Sequence, residues 1–411
     1  MKYLYNILLW ISEKFLLLFG NFFGSKVQYF TTGQKQIFKK LKTCLNPNQK
    51  TIWFHVSSLG EYEQALPVIE KIKSQYVDYQ ILLTFFSPSG YEVKKDKTPA
   101  DCVSYLPIDT RQNVKKFLDL VQPDVVFFVK YDLWPNYLHE LKKRQITTYL
   151  ISGLFTKNHP FFKAYSPWLK NALKAFNRFF VQDDNSQKVL NQQGFKQVTI
   201  TGDTRFDRVF QIAQTAPSYD FIKNFKQNNI LLIAGSTWPK DEDLLTRYIN
   251  SSPENLKVII APHEIHDKHI SEIEKKLHVH AIRYSDIHKD TDLSKHKVLI
   301  LNTIGLLNKI YVDADIVYIG NGFGKSIHNI QEPAVFGVPI ITGPHIDKFK
   351  EAVDLKIAGG LITINNFAEL KAALDRLIQK PYLRKQKAGI TKTYALQNVG
   401  ATDKIMKHIR L

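Results

Sequence analysis

Thr51-Ile52-Trp53-Phe54-His55-Val56-Ser57, running into Ser58-Leu59-Gly60-Glu61, has the pattern of a buried strand that turns into a helix. Its first seven residues carry no acid or lysine and are mostly β-branched or aromatic, as a strand buried on both faces requires. The SSLG turn follows, and an amphipathic helix runs from about Glu61 to Ser74. The same unit recurs outward along the chain. Gln80–Phe86 (QILLTFF) and Asp124–Lys130 (DVVFFVK) read as strands, and a helix opens at Trp134-Pro135. Ile146–Ser152, Arg178–Gln182 and Gln197–Thr201 add short strands. Strands alternating with helices at this spacing imply a parallel sheet covered on both faces.

The rhythm then restarts. Ile230–Ala234 (ILLIA) leads through Gly235-Ser236-Thr237 to a helix from about Lys240, and Lys257–Ala261 (KVIIA) leads through Pro262-His263-Glu264 to another. Val298–Leu301, Asp315–Gly320 and Val338–Thr342 are further strands, and helical patterns over 367–379, 382–397 and 400–410 close the chain. Thr215-Ala216-Pro217-Ser218 reads as a linker. The expected architecture is α/β, with two tandem Rossmann-like doubly wound domains over 26–214 and 215–411. The last helix is expected to pack back on the first domain. A ligand cleft is expected between the domains, at the carboxyl ends of both sheets.

The 411 residues, 44% hydrophobic and 23% charged, exclude a disordered, collagen-like or disulfide-scaffold protein. Cys44 and Cys102 are too few for a disulfide framework, and no cysteine–histidine ligand set suggests a metal. Fifty-six lysines and arginines against 38 acids give a net charge of +18, which points to anionic partners.

Residues 3–23 narrow that choice. At 100° per residue, Leu4, Leu8, Ile11, Phe15, Leu18, Phe19 and Phe22 share one face. Lys2, Asn6, Glu13, Lys14 and Asn21 gather opposite, with Trp10 and Leu17 intruding there. Glu13-Lys14 interrupts the apolar run, against a simple spanning helix, and no A-x-A site supports a signal peptide. Between Glu13 and Glu61 there are seven lysines and no acid. The pattern predicts an interfacial membrane-anchor helix over 1–25 beside an anionic leaflet. The alternative is a helix docked on the protein's own core, with a solvated basic segment after it.

Four post-strand segments carry candidate chemistry. In Ser57–Glu61, Gly60 permits a tight turn and Glu61 opens the helix, as a general base or as an ordinary first-turn glutamate. In Lys130–Asn136, Asp132 and Asn136 bind sugar hydroxyls or cap the helix, while Trp134 is core or a substrate platform. Gly235-Ser236-Thr237 offers amides and hydroxyls to a phosphate at a helix N-terminus. The densest is Gly320-Asn321-Gly322-Phe323-Gly324-Lys325-Ser326-Ile327-His328-Asn329-Ile330-Gln331-Glu332-Pro333. Its glycines let backbone approach a ligand. His328 and Asn329 are expected to open a helix, with Glu332 on the same face to accept from ribose hydroxyls. The segment reads as a nucleotide site, or as a glycine loop with a helix cap.

With these segments in hand, the chain resembles the 3-deoxy-D-manno-octulosonic acid (Kdo) transferases, lipid A inner-core glycosyltransferases of the GT-B superfamily, over nearly its whole length. The carriers are HVSSLGE (55–61), YLPID (105–109), DLWPN (132–136), TGDTRFD (201–207), AGSTW (234–238), APHE (261–264), GNGFGKSIHNIQEP (320–333) and Gly343-Pro344, in this order. The resemblance implies inverting transfer of Kdo from CMP-Kdo to a tetra-acylated lipid A precursor, at the cytoplasmic face of a bacterial inner membrane. It implies no metal or further cofactor. By motif it makes Glu61 the catalytic base, with Ser58, Gly60, Asp132, Trp134 and Asn136 on the acceptor side. The donor side is Ser236, Thr237, His263, Gly320, Gly322, Gly324, Lys325, His328, Asn329 and Glu332. The chain departs from the pattern at Lys130, where an acid is common, at Asp132, where glutamate is usual, and at Pro262-His263-Glu264, which lacks the common arginine. Lys325 or Arg205 is then the expected source of positive charge. The competing readings are a GT-B enzyme using a UDP-sugar, such as a lipid A disaccharide synthase, and a basic nucleic-acid-binding protein. The second would need a basic face with interleaved aromatics, and none is visible.

Overall fold

The computed structural model describes residues 2–163, 167–324 and 327–409. Chain contacts divide it into two compact units, Met1–Arg208 with Gly400–Leu411, and Val209–Val399. The division falls just before the Thr215–Ser218 segment, and the chain's final stretch returns to the first unit.

The first unit runs α1 (Lys2–Phe19), α2 (Ser25–Cys44), β1 (Lys50–Val56), α3 (Leu59–Gln75), β2 (Tyr79–Phe85), α4 (Pro88–Lys94), β3 (Cys102–Tyr105), α5 (Arg111–Val121), β4 (Val125–Val129), α6 (Pro135–Lys143), β5 (Thr147–Gly153), α7 (Pro167–Ala172), β6 (Arg178–Val181), α8 (Asp184–Gln192) and β7 (Val198–Ile200). Helix α9 (Arg205–Thr215) straddles the division. The second unit contains α10 (Asp220–Lys226), β8 (Ile230–Thr237), α11 (Pro239–Ile249), β9 (Leu256–Pro262), α12 (Asp267–Lys276), β10 (Ala281–Arg283), β11 (Val298–Ile300), α13 (Leu307–Ile310), β12 (Ile316–Ile319), α14 (Gln331–Phe336), β13 (Ile340–Thr342), α15 (Lys350–Ala358), β14 (Leu361–Thr363), α16 (Phe367–Gln379) and α17 (Pro381–Asn398). Helix α18 (Ala401–Met406) belongs to the first.

Each unit is built on a parallel seven-stranded sheet, in the orders β3-β2-β1-β4-β5-β6-β7 and β10-β11-β9-β8-β12-β13-β14. Strands β1, β2 and β4 are buried on both faces, so their side chains feed two cores, one on each side of the sheet. In the first sheet the strand order reverses between β1 and β4, and in the second between β8 and β12. Doubly wound sheets bind ligands outside the carboxyl ends of the strands at such a reversal. The described residues of the loops after those four strands are Ser57–Ser58, Lys130–Trp134, Trp238, and Gly320–Gly324 with Ile327–Ile330.

One expectation is corrected, and two further features emerge. His328 and Asn329 do not open a helix, because α14 begins at Gln331 after them, so the shared helix face with Glu332 is absent. Cys44 and Cys102 are joined in one disulfide that ties the end of α2 to β3, with Cα atoms 5.5 Å apart. The N-terminal helix forms but buries no side chain completely, and among the described residues no helix is long and apolar enough to cross a membrane. It docks through half-buried Leu9, Leu16 and Leu17 and through polar residues. Tyr5 donates to Asp109 Oδ2 (2.7 Å), Asn113 donates to Glu13 Oε1 (2.6 Å), and Asn136 donates to Asn6 Oδ1 (2.8 Å). The apolar residues Tyr3, Ile7, Trp10, Ile11, Leu18 and Phe22 are left exposed.

Candidate functional site

The first unit gathers its candidates at the β1–β4 reversal. Ser58 is the N-cap residue of α3, and its hydroxyl donates to Glu61 Oε2 within the first turn. Glu61 is thereby held in place while remaining half-exposed. Gly60 is not needed for a tight turn: it lies inside α3 without a positive φ, and an added Cβ would come no closer than 3.7 Å to Ser58 Oγ.

Across the reversal, a chain of polar groups runs through the sheet's carboxyl end. Trp53 donates to Thr84 Oγ1 (2.8 Å), which lies 2.9 Å from His55 Nδ1. His55 Nε2 lies 2.6 Å from Asp132 Oδ2, and the Trp134 indole N–H reaches both, at 3.0 and 3.3 Å. His55 is fully buried, so this network fixes where the Asp132 carboxylate points. The loop leaves β4 through Lys130, whose φ is +62°. Sequence reading passed over His55 as a site residue. Its only signal was a histidine near the end of an otherwise apolar strand.

Asn136 has other work. It is buried, and its side-chain amide donates to the Asp109 carbonyl (2.5 Å) as well as to Asn6. The Asp109 carboxylate accepts from the backbone N–H groups of Asn136 and Tyr137 and from Tyr5. Burial nonetheless pushes that carboxyl up to about 7.

In the second unit the loops after β8, β9 and β12 converge. Trp238 stacks on His263 (ring centroids 4.8 Å), His263 lies against His328 (4.7 Å), and Trp238 Nε1 donates to His328 Nε2 (3.1 Å). Burial, with His263 adding to it, pushes the His328 imidazole down to about 4. The ring is therefore neutral, with Nε2 taken by Trp238 and Nδ1–H left as a donor. Asn329 bridges into α14: its Oδ1 accepts from the Gln331 N–H (2.9 Å) and its amide donates to Glu332 Oε1 (3.2 Å).

The glycines of this loop serve the protein's own backbone. A Cβ on Gly320 would lie 2.2 Å from the Ser236 carbonyl, and one on Gly322 would lie 2.3 Å from the Gly343 nitrogen. They seat loop on loop. On Gly324, a Cβ would collide with the Asn321 side chain. At the start of the helix after Ser236-Thr237, Asp241 turns back on the residues before it. Asp241 accepts from the N–H groups of Trp238 (3.0 Å) and Asn321 (2.8 Å) and from the Tyr318 hydroxyl (2.7 Å). Thr237 is buried and donates to Glu242 Oε1 (3.0 Å), which also lies 3.0 Å from His269 Nε2. Ser236, held at φ +53°, stays partly exposed. Lys325 lies outside the described residues. Arg205 is paired with Asp203 (2.6 Å) in the first unit. Among the described residues, no group of three histidine, cysteine or carboxylate side chains is placed to hold a metal ion.

Residues 32–208 match a family model described as 3-deoxy-D-manno-octulosonic-acid transferase (kdotransferase). The chain is 27% identical over 316 residues to a 3-deoxy-D-manno-octulosonic acid transferase of Chlamydophila psittaci, covering 75% of this chain and 72% of that protein. It is 24% identical over 418 residues to the protein of that name in Haemophilus influenzae, covering 98% of this chain and 97% of the other. Among solved structures it is similar to a UDP-GlcNAc 2-epimerase of Neisseria meningitidis bound to UDP-GlcNAc, with TM-score 0.60, 14% identity, and coverage of 87% of this chain and 98% of that one. MurG of Acinetobacter baumannii is a second such neighbour, with TM-score 0.56, 11% identity and coverage of 87% and 98%. At these identities the structural neighbours establish a shared GT-B-like α/β fold and nothing about substrates.

Proposed function

We propose that this chain, which is similar over nearly its whole length to a 3-deoxy-D-manno-octulosonic acid transferase and over residues 32–208 to the family model of those enzymes, transfers Kdo from CMP-Kdo to a lipid A precursor in lipopolysaccharide synthesis. The observation that carries the reading is Glu61, a half-exposed carboxylate held by Ser58 in the first turn after β1, at the strand reversal. In the reaction, an acceptor hydroxyl oxygen attacks the anomeric carbon of Kdo. The bond from that carbon to the phosphate oxygen breaks, CMP departs with the bonding pair, and Glu61 takes the hydroxyl proton. Attack opposite the leaving group inverts the centre. CMP is a good leaving group, so the reading assigns no metal to the step. Ser236, His263, His328, Asn329 and Glu332 are the donor-side groups of this reading.

The exposed apolar side of α1 and the chain's +18 charge support a place on an anionic membrane surface, proposed as the cytoplasmic face of the inner membrane. The test is CMP release from CMP-Kdo with and without a tetra-acylated lipid A precursor, with the product's mass. Acceptor-dependent release and a product heavier by Kdo are expected. Release of UDP from UDP-sugars, with no CMP from CMP-Kdo, would favour another GT-B chemistry.

A further inference from the structure

Helix α1 does more than present an apolar side to solvent. Leu4 and Leu8 form one wall of a groove of about 380 Å³ whose other wall is Leu133, Pro135, Phe161 and Trp168. Asp132 and Trp134 of the strand-reversal site also line it. The groove is overwhelmingly apolar and lies within the size range of small-ligand sites.

Beside it lies a smaller pocket of about 210 Å³, ringed by Lys2, Arg111, Lys115 and Lys143. None of these four cations lies in an ion pair among the described residues. The one carboxylate of the pocket, Glu140, is held by Arg144 (3.0 Å). The two cavities adjoin. Pro135 lines one and Asn136 the other, and the His139 ring of the basic pocket stacks on Trp168 of the groove (5.7 Å). The concentration of positive charge is felt at His139, whose imidazole is held low by burial and then by Lys2.

An apolar groove abutting four cations that lie in no ion pair among the described residues is complementary to an amphiphile with a phosphate at one end of an acyl chain. We propose that α1 and the loop after β4 form an acyl-chain groove of the acceptor site, and that the Lys2–Arg111–Lys115–Lys143 pocket takes the phosphate of the same molecule. The acceptor part of this assignment rests on the transfer reading above. The groove thus carries chain recognition to the edge of Asp132, and α1 becomes a piece of the substrate site as well as of the surface.

The experiment uses the full chain bearing Trp10→Phe, which removes an outward-facing fluorophore, and lysophosphatidic acid with a brominated chain below its micellar concentration. Bromine seated in the groove quenches Trp134 and Trp168. Saturable quenching is expected, weakened at least about tenfold by Leu8→Arg and by Lys115→Glu/Lys143→Glu. Leu8 is half-exposed and both lysines are exposed, so these variants keep the fold, which thermal melts check. Brominated monoacylglycerol, which lacks the phosphate, should bind more weakly than the phosphate lipid and be indifferent to the lysine reversal. Quenching that does not saturate, or that Leu8→Arg leaves unchanged, overturns the groove. Equal effects of the lysine reversal on both lipids overturn the phosphate pocket. Saturable binding in a protein that releases no CMP with any acceptor would leave the groove standing and remove the transfer reading. Normal transfer to an acylated acceptor without quenching would do the reverse.

Discussion

Glu61 and Gly60 stand side by side in the first turn of α3, and their substitutions separate structure from chemistry. Glu61→Gln keeps the side chain's shape and its contact with Ser58 but removes its basicity. Turnover should fall at least about 100-fold, with CMP affinity and melting temperature nearly unchanged. A glutamate that served only the helix dipole would instead cost up to about 1 kcal/mol of stability and leave the rate intact. A methyl group at Gly60 makes only an ordinary van der Waals contact, 3.7 Å from Ser58 Oγ, and leaves room beyond it, so Gly60→Ala should hold or raise stability by a few tenths to about 1 kcal/mol. If that space belongs to the acceptor, the acceptor KM of Gly60→Ala rises all the same; an unchanged KM would show that the glycine is idle. His328 gives a pH signature in the second unit. Its folded value of about 4 lies below the ordinary imidazole value of 6.5. Its contribution to stability is therefore fully present above about pH 6.5 and lost as pH falls through about 4. An NMR titration of its ring should show a midpoint below about pH 5, and a midpoint near 6.5 would mean that the Trp238–His263–His328 stack does not hold the ring buried.

Among the elements, α1 shows what periodicity can and cannot say. A 3.6-residue repeat fixes that one side is apolar, but not which side meets the protein. Here Tyr5, Asn6 and Glu13 turn inward to groups from Asp109, Asn113 and Asn136, and the apolar side faces out. Ile7→Glu/Ile11→Glu, on that outer side, should therefore cut binding to anionic phospholipid vesicles at least about tenfold while leaving the melting temperature unchanged. Co-sedimentation equal to that of the unaltered chain would reject α1 as the membrane contact. The strands tell a parallel story. The interior ones were legible because burial on both faces demands long apolar runs. Strands β3, β10 and β14, edge strands of three or four residues, were not, although β7, as short and also at an edge, was. At the candidate sites, the loops after strands could be located from the order of elements alone. The pairing of His55 with Asp132 could not, since it joins residues 77 apart in sequence. Nor could the way Asp241 accepts from the Trp238 and Asn321 N–H groups, which joins residues 80 apart in sequence beside the Gly235-Ser236-Thr237 turn.

On the scale of the whole molecule, the chain does not end in the unit where its last long helix lies. After α17 it returns through Gly400 to the first unit, where Asp207 accepts from the Gly400 N–H (2.5 Å) and the Thr402 N–H (2.6 Å). From there Ile405 and Ile409 insert into the core that α3 forms on one side of the first sheet. Ile405 is completely buried. Its replacement by alanine leaves a cavity among aromatic and branched neighbours and should cost about 2–5 kcal/mol. The location of that loss is the sharper prediction. Because α18 belongs to the first unit by its contacts, Ile405→Ala should lower hydrogen-exchange protection in β1 and α3, some 340 residues earlier in the chain, and leave β8 and β9 protected as before. Protection lost from β8 and β9 with β1 and α3 unaffected would show that the terminal helix stabilises the unit from which the chain has just emerged.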